Sequence, residues 1–178
     1  HQARITTETP AGKVPFLSHG DLVIWESLAI CEYLAELKPE AMLWPVELKA
    51  RARARAVSTE MAAGFFGLRN EFPMNIRRRI AGITPSEAAA RDIARIHALW
   101  ADCRARVEAE GGDGPFLFGH FTIADAMYAP VVWRFETYGL CRDDNARAYM
   151  DSILALEPIK EWEEASIAEK WVIEQAEL

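Results

Sequence analysis

The spacing of apolar residues changes once along the chain, close to residue 26. Before that point, Val14–Ser18 and Leu22–Trp25 are short runs rich in β-branched and aromatic residues, which is typical of strands. His19-Gly20-Asp21 lies between them and predicts a hairpin turn, because glycine tolerates positive φ. After that point, apolar residues recur at three- and four-residue spacing over Ser27–Leu37, which predicts a helix that ends at Lys38-Pro39.

The remainder of the chain has helical spacing almost throughout. It predicts helices over about residues 46–72, 85–109, 143–156 and 159–175, and a further helix that begins at Thr122. Thr84 is the expected cap of the second of these helices, with Pro85 as its first helical residue. The sequence therefore predicts an α+β protein with an amino-terminal unit over 1–38, a linker over 39–45 and an all-helical unit over 46–178.

Two dipeptides flank the predicted hairpin and suit the binding of a small acidic peptide. The trans form of an X-Pro bond is preferred by only about 0.5–1 kcal/mol, so a cis Val14-Pro15 bond is plausible and would turn the Val14 backbone outward to pair with a ligand. Ser27 suits the N-cap of the helix, where amide groups attract an anion, and Glu26 beside it suits an ammonium group. The pattern predicts a ligand with an α-carboxylate and an α-amine at one end and a peptide unit in its middle.

The sequence GKVPFL followed by WESLAICEYLAE resembles the glutathione-binding half of cytosolic glutathione S-transferases of the bacterial type. The resemblance implies that Val14, before a cis Pro15, pairs with the cysteinyl backbone of glutathione, and that Glu26 and Ser27 bind its γ-glutamyl end. Lys13 is a candidate partner for the glycine carboxylate, with a solvated lysine as the alternative. The implied fold is part of a thioredoxin-like domain followed by an all-α helical bundle.

A second stretch, FTIADAMYAP, resembles the start of the buried central helix in the same family. Thr122 and Asp125 have the spacing of a capping box, in which the aspartate carboxylate reaches back to the threonine amide. We therefore interpret Asp125 as structural, although an isolated aspartate also suggests catalysis.

Family members have a strand, a helix and another strand ahead of the GKVP segment, and that region normally carries the catalytic Tyr, Ser or Cys. We expect the catalytic residue, which this sequence does not identify, to lie in such an upstream segment, and His1 not to be the biological terminus. The resemblance implies that the residues named above position glutathione but do not activate its thiol.

Composition narrows the possible partners. A net charge of -7 argues against nucleic acid or an anionic membrane as the main partner. The three cysteines form neither a close pair nor a metal-binding spacing, so we expect no metal and a reducing cytoplasmic location. No apolar run approaches the roughly 20 residues that a membrane helix needs.

The resemblance implies a homodimeric detoxifying transferase that joins the glutathione thiolate to a hydrophobic electrophile, with glutathione as co-substrate and no other cofactor. Two alternatives remain open: a glutathione-dependent isomerase of the maleylacetoacetate type, and a non-catalytic binding or scaffold protein with the same fold.

Overall fold

The first elements of the computed structural model, which describes Thr9 and residues 11–177, form an antiparallel hairpin. Strands β1 (Phe16–His19) and β2 (Leu22–Trp25) pair with Phe16 opposite Trp25. Gly20 in the two-residue turn has a φ of 63°, the left-handed conformation that glycine adopts without a steric cost. The predicted hairpin is confirmed, although β1 begins two residues later than expected.

Helices dominate the rest of the described chain. They are α1 (Ser27–Leu37), α2 (Leu48–Ala63), α3 (Phe66–Glu71), α4 (Glu87–Ala109), α5 (Ile123–Tyr138), α6 (Asp144–Leu154) and α7 (Glu157–Ala168). Short 3-10 turns lie at Pro39–Ala41 and Glu174–Ala176. The α+β class is confirmed, whereas the division into two domains at residues 39–45 stays a prediction.

Helix α1 contains no fully buried residue, yet one stripe of it is directed at the helical part of the molecule. Leu28, Cys31 and Ala35 are spaced along one face and pack, partly buried, against the main hydrophobic core. The hairpin and α1 are therefore positioned by the helices that follow them in the chain.

Helix α5 forms the centre of that core. Tyr128 and Phe135 of α5 are fully buried and pack around Trp100 of α4, at ring-centroid distances of 5.9 and 5.3 Å. Tyr149 of α6 completes the cluster at 4.8 Å from the same indole ring. These aromatic contacts join three consecutive helices of the chain.

Thr122 and Asp125 form the capping box at the start of α5. The Asp125 carboxylate, which is fully buried, accepts the Thr122 N–H at 2.8 Å and the Thr122 hydroxyl at 3.0 Å. It also accepts the Leu117 N–H at 3.1 Å and the Tyr149 hydroxyl at 3.2 Å. Burial raises the pKa of this carboxyl, and the four hydrogen bonds oppose that rise.

Helix boundaries depart from the sequence prediction at three places. Helix α7 covers Glu157–Ala168, whereas the prediction placed it over about residues 159–175. The prediction that Thr84 caps α4 is wrong, since the helix begins at Glu87 and the Ser86 hydroxyl accepts the Ala89 N–H at 3.3 Å. The Glu71 carboxylate accepts a hydrogen bond from the Ser86 N–H at 2.8 Å and so helps to fix the residue at which α4 begins. The long helix predicted over 46–72 is interrupted at Phe65, whose φ of 57° separates α2 from α3.

Substituting Asp125→Ala should lower the free energy of unfolding by about 3 kcal/mol, because several buried donors lose their acceptor together. The exposed loop residue Asp113 provides the matched control, Asp113→Asn, which should change it by less than about 0.5 kcal/mol. Urea denaturation measures both variants. Equal stabilities would show that the capping box does not hold α5 in place.

Candidate functional site

The residues on either side of the hairpin enclose one small cavity. It has a volume of about 150 Å³ and is lined by Ala11, Lys13, Val14, Pro15, Trp25 and Glu26. Because Phe16 pairs with Trp25, the segment before β1 lies beside the segment after β2. The hairpin thus brings together four of the five residues that the sequence assigns to one ligand, and the fifth, Ser27, follows directly in the chain.

Val14 presents its backbone at this cavity. The Val14–Pro15 peptide bond is cis, and the Val14 side chain is 66% exposed. Within the described part of the chain, the N–H and C=O of Val14 have no hydrogen-bond partner. Both groups are therefore available to a ligand that binds as an extended strand.

Glu26 has an unusual backbone conformation, with φ 68° and ψ 124°. A residue with a side chain costs roughly 1–3 kcal/mol in such a sparsely populated region, and residues of this kind cluster at functional sites. Here the conformation turns the chain from the end of β2 into α1 within a single residue. The Glu26 side chain remains exposed at the edge of the cavity.

Ser27 does not cap α1, contrary to the sequence prediction. Glu26 occupies the N-cap position because it is the last residue with non-helical angles, and no side chain caps the helix. The first ladder bond runs from the Ile30 N–H to the Glu26 carbonyl at 3.0 Å. The N–H groups of Ser27, Leu28 and Ala29 thus have no acceptor within the described residues, which makes this helix start suitable for an anion.

Charge in the cavity has both signs. Lys13 is the one cation and Glu26 the one acid among the six lining residues, and none of the six carries a hydroxyl or a thiol. Cys31 lies further along α1 and is half-buried; burial, and secondly the charge of Glu32, raises the pKa of its thiol. These groups can hold a zwitterionic peptide, but they do not include a group placed to ionise its thiol.

Sequence reasoning missed two residues of the site, Ala11 and Trp25. Trp25 was identified only as the end of a strand, yet its indole is 40% exposed and forms part of the cavity wall. The hairpin register would have identified Trp25, because the residue that pairs with Phe16 must lie next to Pro15.

Glu32 attaches the helix of this site to the helical part of the protein. Its carboxylate accepts the Arg55 Nε at 2.7 Å, the Arg55 Nη2 at 3.0 Å and the Trp44 Nε1 at 3.0 Å. The Arg55 guanidinium also lies 5.6 Å from the centre of the Trp44 ring system. Hydrogen bonds from Arg55, opposed by partial burial, lower the pKa of Glu32.

Two family models match this chain. The model of the glutathione S-transferase amino-terminal domain matches residues 3–36, which include the cavity, and that of the carboxyl-terminal domain matches residues 86–164. The chain belongs to the glutathione S-transferase family. Within the described residues of this family member, no helix is long and apolar enough to cross a bilayer, and no group of side chains is arranged to bind a metal ion.

Curated relatives include members with different reactions. A probable maleylacetoacetate isomerase of Caenorhabditis elegans is 42% identical over 141 residues, which are 78% of this chain and 63% of that protein. Glutathione S-transferase GstB of Escherichia coli K12 is 29% identical over 147 residues, 79% of this chain and 67% of that protein. The chain thus spans about two thirds of the length of these relatives.

Solved structures share the fold of this glutathione S-transferase family member. A Burkholderia glutathione transferase homologue with bound glutathione has a TM-score of 0.69 at 21% identity, over 94% of this chain and 80% of that one. A bacterial zeta-class maleyl pyruvate isomerase has a TM-score of 0.62 at 23% identity, over 96% of this chain and 81% of that one.

Glu32→Gln should lower the free energy of unfolding by about 1 kcal/mol at pH 7, since the pair with Arg55 is charge-assisted but partly exposed. The pKa of Glu32 is lowered in the folded state, so this stabilisation is present above its ordinary pKa of about 4.5 and is lost as the pH falls through the folded value.

Denaturant titrations of the parent and variant at pH 7 and pH 3 measure that dependence. Glu36→Gln is the control, because Glu36 lies one turn away on α1 and its side chain makes no hydrogen bond in the described structure. Its charge also acts on Arg55, so this variant should show a smaller pH dependence of the same sign. A parent–variant difference that is as large at pH 3 as at pH 7 would contradict the assignment.

Proposed function

We propose that this chain binds glutathione in the cavity beside the hairpin, and that the whole protein is a glutathione transferase acting on hydrophobic electrophiles. The observation that carries the proposal is the convergence of Lys13, Val14, Pro15 and Glu26 on one cavity, with Ser27 at the adjoining helix start. Glutathione carries an α-amine and an α-carboxylate at one end, a peptide unit in the middle and a second carboxylate at the other end. The site offers a matching group for each of these.

Each contact follows from the geometry of the group that makes it. The Val14 N–H and C=O, which have no partner among the described residues, bond to the cysteinyl C=O and N–H, as one strand pairs with another. The exposed Glu26 carboxylate receives the γ-glutamyl ammonium group. The Ser27 hydroxyl and the first N–H groups of α1 donate to the γ-glutamyl carboxylate, and the Lys13 ammonium group pairs with the glycine carboxylate.

These contacts position the thiol but do not generate the thiolate. The reaction needs a hydrogen-bond donor or a positive charge beside the sulfur, because the thiolate is the nucleophile. Once ionised, the sulfur attacks the electrophilic carbon, a carbon–sulfur bond forms, and a leaving group departs or a proton is taken up. We place the activating group outside the residues that line the cavity. The homodimer and the cytoplasmic location of the protein stay predictions.

Isomerisation is the second candidate, and the 42% identity to the nematode isomerase favours it. In this reaction the thiolate adds to one carbon of a cis double bond, the remaining carbon–carbon single bond rotates, and the thiolate leaves with the double bond restored. Glutathione is regenerated and therefore acts as a cofactor. The same binding contacts serve both reactions, so the reactions differ in the electrophile and not in the hairpin.

Ser27→Ala should weaken glutathione binding about tenfold, because the variant loses a hydrogen bond to a charged carboxylate. Isothermal titration calorimetry measures the affinity, and circular dichroism checks that the fold is retained. Ser18→Ala, an exposed hydroxyl on β1, is the matched control and should bind as the parent does. Equal affinities in the parent and Ser27→Ala would refute the site assignment.

Turnover by the complete protein distinguishes the two reactions. We expect conjugation of glutathione to a generic aryl halide, followed by the absorbance of the thioether, and little isomerisation of maleylacetoacetate. The reverse result would establish the isomerase instead. Glutathione binding without either reaction would leave a binding protein that uses the same hairpin site.

A further inference from the structure

Trp25 lines the cavity beside the hairpin, which we call the hairpin cavity, and none of the proposed glutathione contacts uses its side chain. The side chain is 40% exposed. Among the described residues, neither its ring nor its Nε1 has a hydrogen-bond, aromatic or cationic partner. The indole is therefore available to a ligand. The larger cavity between the start of α2 and the end of α4, about 600 Å³ in volume, has no tryptophan in its wall.

The backbone of Glu26 brings two consecutive residues to one ligand site. Successive residues of a regular strand point to opposite faces of the sheet, so Trp25 and Glu26 would diverge if β2 continued. Strand β2 ends at Trp25, and Glu26 has a φ of 68° instead of a strand conformation. Both residues line the hairpin cavity. The strained residue therefore places a carboxylate next to an exposed indole.

An indole next to a carboxylate suits a cation. The face of an indole ring carries negative charge density and attracts a cation that lies within about 6 Å of its centre. Two other tryptophans of this protein bind cations in this way. Arg55 lies 5.6 Å from the ring centre of Trp44, and Arg79 lies 5.6 Å from that of Trp133. The equivalent position over Trp25 is open within the described structure.

Lys13 is the one cation of the cavity wall, and it does not fill that position. It lies three residues before Phe16, the residue that pairs with Trp25. No contact between the Lys13 ammonium group and the Trp25 ring is present among the described residues. Lys13 therefore remains available to a carboxylate, and the indole face remains available to a cation that the ligand brings.

We propose that Trp25 and Glu26 together bind the α-ammonium group of the γ-glutamyl residue, which lies against the indole face and pairs with the carboxylate. This inference rests on the proposed function, because it concerns the same ligand. It makes a free α-amine a requirement of the site. The thiol substrates are then γ-glutamyl peptides that carry this amine, and deaminated or N-acylated analogues bind more weakly.

Two peptides test the inference by calorimetric titration of the complete protein. Glutathione carries the α-amine, and glutaryl-cysteinyl-glycine lacks only that group. Trp25→Leu should weaken glutathione binding about fourfold, because the leucine side chain has no ring to attract the ammonium group. The same variant should leave the affinity for the deaminated peptide unchanged. Trp25→Phe, which keeps a smaller ring, should weaken glutathione binding about twofold.

Trp171→Leu is the matched control. Trp171 is 76% exposed and lies outside the hairpin cavity, so this variant should bind both peptides as the parent does. If circular dichroism shows that Trp25→Leu does not fold, replacement of tryptophan by fluorotryptophan in the parent decides. Fluorine withdraws charge from the ring face with little change in shape, so glutathione should lose affinity and the deaminated peptide should not.

Three results are distinguishable from the expected one. An equal loss of affinity for both peptides in Trp25→Leu would make Trp25 an apolar wall and overturn the inference. Unchanged glutathione affinity in Trp25→Leu, or an unchanged ratio of the two affinities after fluorination, would also overturn it, while the proposed function would stand. A parent that binds neither peptide would refute the proposed function itself, and this inference with it.

Discussion

The carboxylate of Glu32 is the contact on which the proposed glutathione site depends. A two-stranded hairpin is marginally stable alone, and the helix that follows it buries no residue completely. Glu32 reaches Arg55 across 23 residues of sequence and Trp44 across 12, and so joins α1 to α2 and to the segment between them. Because Glu26 and Ser27 begin the same helix, the placement of the ligand-binding groups depends on this contact and on the apolar stripe beside it.

Carboxylates serve two opposite purposes in this protein, and burial distinguishes them. Asp125 is enclosed and accepts four hydrogen bonds, so its carboxyl group stabilises the start of α5 and is inaccessible to a ligand. Glu26 is exposed and lies at the edge of a cavity, and its side chain makes no capping hydrogen bond to α1. A motif containing an aspartate is therefore structural here, whereas Glu26, with its strained backbone and no side-chain partner among the described residues, is the group suited to recognition.

The hairpin cavity and the cavity between α2 and α4 differ in size, in charge and in how much of their surface is apolar. The hairpin cavity is small, has one cation and one acid, and uses unpaired backbone groups, which suits an extended zwitterionic peptide. The cavity between α2 and α4 is larger and more apolar, and it is lined by three cations and two acidic residues. Its two guanidinium groups share the carboxylate of Asp102.

Sequence alone determined the hairpin, the α+β class, the capping box of α5 and four residues beside the hairpin that line its cavity, because each depends on patterns that span only a few residues. Only the tertiary structure decided that Glu26, not Ser27, ends the non-helical backbone, and that Ser86 caps α4. It also decided the pairing of Glu32 with Arg55, and the larger cavity between helices. These features arise where distant segments pack together, and local propensity carries no information about which segments will meet.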